Sequence, residues 1–276
     1  MEFNDYREIK PHGTADYSFA EYKIGGWEFT TNHWHDEIEI IYILRGKLHI
    51  NINGNHYYGG GGDVFAVNKG EMHELYGESA DLEYYAFVFS AGMLSFSMSD
   101  AVQRFIVKPL MEDKIHLEHK PAVRTDVFDE IIKCNKSKSV ANMLRTKSLL
   151  LYFLSEIFEN GQYDKRKKDE NEEIKKSIIF YINSEFERKI TLEEIAKKFN
   201  MSPKYFCRFF KKCFGKTFME YLNGVRTEKA IDFLGKGMSV TDAAMACGFN
   251  NMSYFAKVFR HNTGVNPAHY KSAKKN

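Results

Sequence analysis

The sequence predicts an α+β chain of two domains: an N-terminal β-barrel followed by helices, and a C-terminal all-α domain with two helix-turn-helix motifs. Three observations predict it. Residues 15–90 alternate in the manner of strands, and from residue 122 onward apolar positions recur at helical spacing. Charge divides the same way: residues 173–276 hold 15 Lys and 4 Arg against 9 acidic residues, a net +10, which leaves −8 on residues 1–172. A basic compact third attached to an acidic remainder is the footprint of a nucleic-acid-binding module carried by something else. A solvated, lysine-rich surface is the bland alternative.

In the first region, KLHININGNHYYGGGGDVFAV (47–67) gives strand-like runs punctuated by Asn53-Gly54 and by the four glycines Gly59 to Gly62. Asn-Gly between HINI and NHYY is a hairpin signal, because both central residues of the tight turn need positive φ. The run AVRTDVFDEIIKC then puts Val123, Val127 and Ile131 on one helical face. A second helix, about 139–159, carries Leu149, Leu150, Leu151, Phe153, Leu154 and Ile157, a wider apolar surface than one core-facing stripe needs. Burial on two sides is expected, against its own barrel and against a second subunit, with Leu149, Leu150 and Phe153 as candidates for the intersubunit face. Packing within one chain is the alternative.

Residues 160–173 carry nine charges and no aliphatic side chain. They divide the chain into a domain at 1–160, a linker at 161–172 and a domain at 173–276; the linker's residues are good helix formers that suit extension of either flanking helix. Beyond it, Thr191 opens T-x-x-E with Glu194, a capping box, and Leu192, Ile195, Ala196 and Phe199 follow at helical spacing. Ser202-Pro203 starts another helix, which ends at Gly215. This is a helix-turn-helix over about 192–214, and the small Ala196 lets its helices cross closely. The arrangement recurs over about 240–262: SPKYFCRFFKKCFG (202–215) aligns with NMSYFAKVFRHNTG (251–264) at a spacing of 49 residues. With the phenylalanines turned inward, Ser202, Lys204, Cys207, Arg208 and Lys211 face outward on one second helix. Asn251, Ser253, Tyr254 and Lys257 do so on the other. Such faces suit the major groove.

Residues 173–276 resemble the DNA-binding domain of the AraC/XylS family of bacterial transcription regulators. The matching stretches are TLEEIAKKFNMSPKYFCRFFKKCFGKTFMEYLNGVRTEKAIDFL and SVTDAAMACGFNNMSYFAKVFRHNTGVNPAHYK. The second contains the family-specific GF-x-x-x-SYF-x-x-x-F[KR]-x-x-x-G-x-x-P-x-x-Y pattern. The resemblance implies a seven-helix unit whose two recognition helices enter adjacent major-groove turns on one face of DNA. Cys207 stands where a polar residue would be more informative.

The acidic half holds eight of the ten histidines. His33, His35, Glu39 and Gly46 form H-x-H-x3-E-x6-G, and Gly62, Gly70 and His73 form G-x7-G-x2-H. These resemble the two motifs of the cupin barrel, with Asn68 where the second motif usually has Pro. Three imidazoles and a carboxylate are a sensible donor set for a divalent transition metal. Positions 33, 35 and 39 share strand parity, which points them into one barrel interior. A metal-free effector pocket and plain structural histidines are the competing readings. Trp27, Phe29, Trp34 and Tyr42 are candidates to line such a pocket, where a ring face suits the apolar face of a sugar; barrel core is the commoner fate of aromatics.

The remaining signals are exclusions. No apolar stretch reaches the roughly 18–20 residues of a membrane span, and MEFNDYREIK lacks the apolar core of a signal peptide. Cys134, Cys207, Cys213 and Cys247 make no C-x-x-C pair, so they read as reduced thiols of a cytoplasmic protein. No nucleophile–base pair appears, and GGGG lacks the GK[ST] of a nucleotide loop. The expected function is therefore a non-enzymatic, sequence-specific transcription regulator that answers a small-molecule effector, a sugar among the candidates. Its expected partners are promoter DNA, the effector, a second copy of the chain, and RNA polymerase where it activates. No cofactor is assigned beyond a candidate divalent metal. The competing functions are a cupin metalloenzyme or metal sensor fused to a DNA-binding module, and a constitutive DNA binder whose barrel only dimerises.

Overall fold

A computed structural model describes residues 12–27, 29–137, 139–166 and 171–273. Eight strands form the N-terminal domain: β1 (Phe19–Gly25), β2 (Phe29–His33), β3 (Ile38–Arg45), β4 (Lys47–Ile52), β5 (Asn55–Gly60), β6 (Val64–Val67), β7 (His73–Gly77) and β8 (Glu83–Phe89). They make two four-stranded antiparallel sheets, ordered β1-β8-β3-β6 and β2-β7-β4-β5. The expected hairpin joins β4 to β5, with Asn53 at φ 52° and Gly54 at φ 86°, the pair of positive angles a two-residue turn demands.

Strand β3 shows why IEIIYIL reads as an unbroken apolar run. Ile41 and Ile43 turn inward and meet Leu48, Ile50, Ile52, Phe65 and Leu75 from both sheets, filling the interior with aliphatic side chains. Ile38, Ile40 and Tyr42 turn outward and are covered by two helices, α2 (Asp126–Asn135) and α3 (Val140–Glu159). A short α1 (Lys108–Met111) precedes them. On α3, Leu150 and Phe153 are completely buried in this intrachain core, and Leu149 is partly buried against it. Two of the three expected intersubunit candidates are thus consumed inside the chain. The large apolar side chains α3 leaves exposed are Val140 and Leu144, on one face, and Tyr152, further round the helix and bonded to Arg124 and Glu156.

The charged linker does not simply prolong α3. Its residues Tyr163–Lys165 form a short strand, β10, antiparallel to β9 (Ile115–Leu117). Residues 167–170 lie outside the described residues.

Seven helices follow: α4 (Glu172–Glu185), α5 (Leu192–Lys198), α6 (Pro203–Phe214), α7 (Phe218–Gly235), α8 (Val240–Ala246), α9 (Met252–Thr263) and α10 (Pro267–Ala273). Thr191, Ser202, Thr217, Ser239 and Asn251 each accept a hydrogen bond from the amide three residues on, as N-caps should. The reciprocal capping box forms at Thr217–Glu220. At the predicted box, Glu194 instead accepts from Tyr181 Oη at 2.6 Å and pairs with Arg188, tying α4 to α5. Phe206, Phe210, Phe214, Phe255 and Phe259 fill one core with Ala196 at the α5 crossing.

The two domains touch through the outer face of the second sheet. Asn51 Nδ2 donates to Phe214 O at 3.2 Å, and Lys216 Nζ pairs with Glu74 at 2.8 Å. Met72 enters the helical core, and a Cβ on Gly54 would lie 2.7 Å from Cys213 O. Among the described residues, no helix is long and apolar enough to cross a membrane.

Candidate functional site: a histidine cluster and two recognition helices

Pairing of β2 with β7 sets His33 opposite His73. Strand β3 contributes Glu39, and His35 stands in the turn just before it, outside regular strand. One ligand atom from each of the four lies within 4.8 Å of the others. The candidate ligands are therefore brought together, but not by the expected parity: His33, Glu39 and His73 stand on three different strands, and a turn supplies His35.

The hydrogen bonds fix the chemistry. His35 Nδ1 lies 3.1 Å from Glu37 O and His73 Nδ1 lies 3.0 Å from Glu71 O. A carbonyl only accepts, so both Nδ1 atoms carry hydrogen. Both Nε2 atoms then meet the same oxygen, Glu39 Oε2, each at 3.0 Å. Neutral rings would aim two lone pairs at one carboxylate. A cation relieves this, either protons on both imidazoles or a metal ion held between Nε2 atoms and carboxylate. Burial pushes the Glu39 carboxyl up, but the hydrogen bonds to His35 and His73 outweigh it and hold the group well below the usual carboxylate range. Histidines whose Nδ1–H is pinned by backbone carbonyls present a fixed Nε2, the second layer that metal-ligating histidines normally have. The donor set fits a divalent transition metal.

Three of the four aromatic candidates do not gather around this cluster. Tyr42 lies on the opposite face of β3 from Glu39, three residues away and hence of opposite parity, and its ring stacks on Phe128 at 5.4 Å. Trp34, between His33 and His35, turns away and lies under Lys176 Nζ of α4, 4.2 Å from the ring centroid. Trp27 is exposed and sits beside Gly264 at the end of α9. The side chain of Phe29 lies outside the described residues.

A second polar cluster carries no motif and went unread in the sequence. Buried Glu71 takes His119 Nε2 at 3.0 Å and His116 Nδ1 at 3.5 Å. Burial raises the Glu71 carboxyl, but these partners hold it well below its ordinary value. Burial lowers His116, yet Asp113 and Glu71 overcome it and push the imidazole up to about 9. Asp113 pairs with Arg166, Arg166 with Glu172, and Glu172 with Lys176 at 2.7 Å, the lysine over Trp34. Asn68 belongs to this network: its Nδ2 donates to Glu71 Oε2 at 3.1 Å and to Leu117 O at 3.0 Å, bonds that proline could not make. Its members run from Asn68 to Lys176 along the chain, so no local spacing marks them.

In the helical domain Ser202, Lys204, Cys207, Arg208 and Lys211 are exposed on α6, and Asn251, Ser253, Tyr254 and Lys257 are exposed on α9 or its cap. Some of these groups also have intrachain work. Ser202 Oγ and Asn251 Oδ1 cap their own helices, and Tyr254 Oη accepts from Asn223 Nδ2 at 2.8 Å. Tyr205, Met252 and Arg260 are exposed beside them.

Two family models match this chain: an AraC-like ligand binding domain over residues 18–154 and a helix-turn-helix domain over residues 195–273. The uncharacterized HTH-type transcriptional regulator YdeC of Bacillus subtilis (strain 168) is 28% identical, covering 96% of this chain and 95% of its own. YdiP of Escherichia coli (strain K12), of the same description, is 25% identical over 91% of this chain and 83% of its own. The fold is similar to that of ToxT from Vibrio cholerae, with a TM-score of 0.50 and 16% identity over 93% of this chain and 98% of that one. A ligand-binding β-domain followed by paired helix-turn-helix motifs, matched in that order across both domains, makes this chain a member of the AraC family of transcriptional regulators.

Proposed function

We propose that the chain binds double-stranded promoter DNA by laying α6 and α9 into successive major-groove turns, with Lys204, Arg208 and Lys211 on one helix and Ser253, Tyr254 and Lys257 on the other. The observation that carries this reading is the duplicated twelve-residue helix, capped alike and turned alike, with cations on its outward face. Binding to promoter DNA should weaken steeply with salt, by a log–log slope of about −0.9 for each phosphate contact. Fluorescence anisotropy over a salt series tests it; a slope near zero refutes it.

A second reading concerns what the N-terminal domain senses. Two Nε2 atoms meeting one carboxylate oxygen favour a divalent metal at His33, His35, Glu39 and His73, which makes the chain a metal-responsive regulator. Zinc at about a hundred times its dissociation constant should stabilise the fold by about 2.7 kcal/mol, and His73→Ala should abolish that gain in a thermal melt. The barrel interior is packed with aliphatic side chains, so a sugar-sized effector belongs elsewhere on the molecule. The same reading places the protein in the cytoplasm without catalytic activity. It pairs two copies through the exposed Val140 and Leu144 of α3, with RNA polymerase as a further partner where the chain activates.

A further inference from the structure

The chain before β1 makes a closed turn. Thr14 N donates to Tyr17 O at 2.9 Å and Tyr17 N to Thr14 O at 3.1 Å, and Gly13 lies so close to Tyr17 O that a Cβ there has no room. Together with β1, the end of α2 and the start of α3, this turn encloses a cavity of about 290 Å³. That is at the lower limit of the roughly 300–1,000 Å³ of small-molecule sites, so its occupant is small. Phe19, Cys134 and Met143 give it an apolar wall.

Polar groups converge on the other side. Asn135 Nδ2 donates to Glu21 Oε2 at 3.0 Å. Burial pushes the Tyr17 hydroxyl up; its bond with Thr146 pulls it back, and Cys134 and Glu21 act on it from close by. These five residues all line the cavity.

The charge here is one-sided. Glu21 is the one carboxylate lining the cavity, and no Lys, Arg or His lines it. Among the described residues, the cation bonded to a lining side chain is Arg145, which donates to Asn142 Oδ1 at 3.2 Å; it is exposed and stands outside the cavity. Burial pushes the Glu21 carboxyl up, and the Asn135 bond offsets only part of that. A half-buried carboxylate with an amide as its partner gains from a cation that enters beside it.

We propose that this cavity binds a small organic amine in its protonated form. The ammonium group donates to the Glu21 carboxylate and the Tyr17 oxygen, and the apolar body lies against Phe19 and Met143. Helix α3 supplies Met143 and Thr146 to the cavity and carries Val140 and Leu144 on the neighbouring face, so an occupant bears on the pairing of two copies. That consequence rests on the pairing reading above; the site itself rests on neither reading of function.

Isothermal titration of the full-length chain without DNA tests the site directly. The probes are phenethylamine and butylamine, with phenethyl alcohol and butanol as neutral matches and phenylacetate as the anionic control. The expected result is one-to-one binding of at least one amine, at least tenfold tighter than its neutral match and than phenylacetate. Glu21→Gln keeps an oxygen for Asn135 and removes the charge; Met143→Trp fills the cavity from α3. Each should weaken amine binding at least tenfold, whereas His73→Ala should leave it unchanged. Binding of one amine alone identifies the body as aromatic or aliphatic. No binding by either amine, a neutral match or phenylacetate that binds as tightly, or an affinity untouched by Glu21→Gln or by Met143→Trp overturns the proposal. A chain that stays monomeric while titration succeeds would instead strike only the pairing reading.

Discussion

Helices α6 and α9 are built alike and held differently. Each has twelve residues, an N-cap side chain bonded to the third amide, and a C-terminal glycine at φ 71° or 75°. Each buries phenylalanines in one shared core. The N-terminal domain reaches the end of α6 through the hairpin turn, where Gly54 lies against Cys213 O, and through the Asn51 side chain, whose Nδ2 donates to Phe214 O. It reaches α9 through a side chain, with Trp27 beside Gly264. The comparison teaches that α6 is hydrogen-bonded to the N-terminal domain at its C-terminal end, whereas α9, among the described residues, meets that domain through the Trp27 ring.

The shared core is the largest lever. Phe210→Ala and Phe259→Ala remove completely buried rings and should each cost about 3–5 kcal/mol. Thermal melts of the two variants should fall by similar amounts; a large asymmetry would show that the helices do not depend on one core. The glycine pair comes next. Gly54→Ala forces a residue to φ 86° and drives Cβ to within 2.7 Å of a carbonyl oxygen, for about 2–3 kcal/mol. Gly264→Ala meets only the Trp27 ring, at 3.2 Å, and should cost about 1 kcal/mol. Equal losses in urea unfolding would erase the distinction between backbone and side-chain docking.

The smallest effect is electrostatic. His116 has a folded pKa raised to about 9 from 6.5. Its contribution is therefore fully present below about pH 6.5 and is lost as pH rises through 9. With partial exposure the amount is about 1 kcal/mol. It stiffens the path from Glu71 through Asp113 and Arg166 to α4, and leaves α6 and α9 equally untouched. Unfolding measured from pH 6 to 10 should show the decline, and His116→Gln should flatten it.

Much of this was legible in the sequence, for identifiable reasons. Asn53-Gly54, Ser202-Pro203 and the recurring Y-F-x-[KR]-x-F are local signals, set by dihedral preference and helical period. The cluster at His33, His35, Glu39 and His73 was also readable, from its resemblance to the two cupin motif spacings; strand parity does not carry across the turn that holds His35. The rest depended on which face of an element meets which neighbour. Tyr42 stands on the helix-covered face of β3, a place that its odd spacing of three from Glu39 already gives. Leu150 and Phe153 were assigned to a partner because apolar width on α3 does not say whether β3 or another subunit covers it. The Glu71–His116–His119 network and the cavity beside Glu21 join residues far apart in sequence, and no local pattern marks them.

The central claim is that two similar helices read DNA one turn apart. Hydroxyl-radical footprinting on promoter DNA, with Arg208→Ala and Lys257→Ala compared against the unaltered chain, tests it most directly. Each substitution should weaken binding by about 1–3 kcal/mol, and the positions they deprotect should be separated by one helical turn, roughly 34 Å. If both substitutions expose the same bases, or if Lys257→Ala leaves the footprint and affinity unchanged, α9 is not a second reading helix and the account fails.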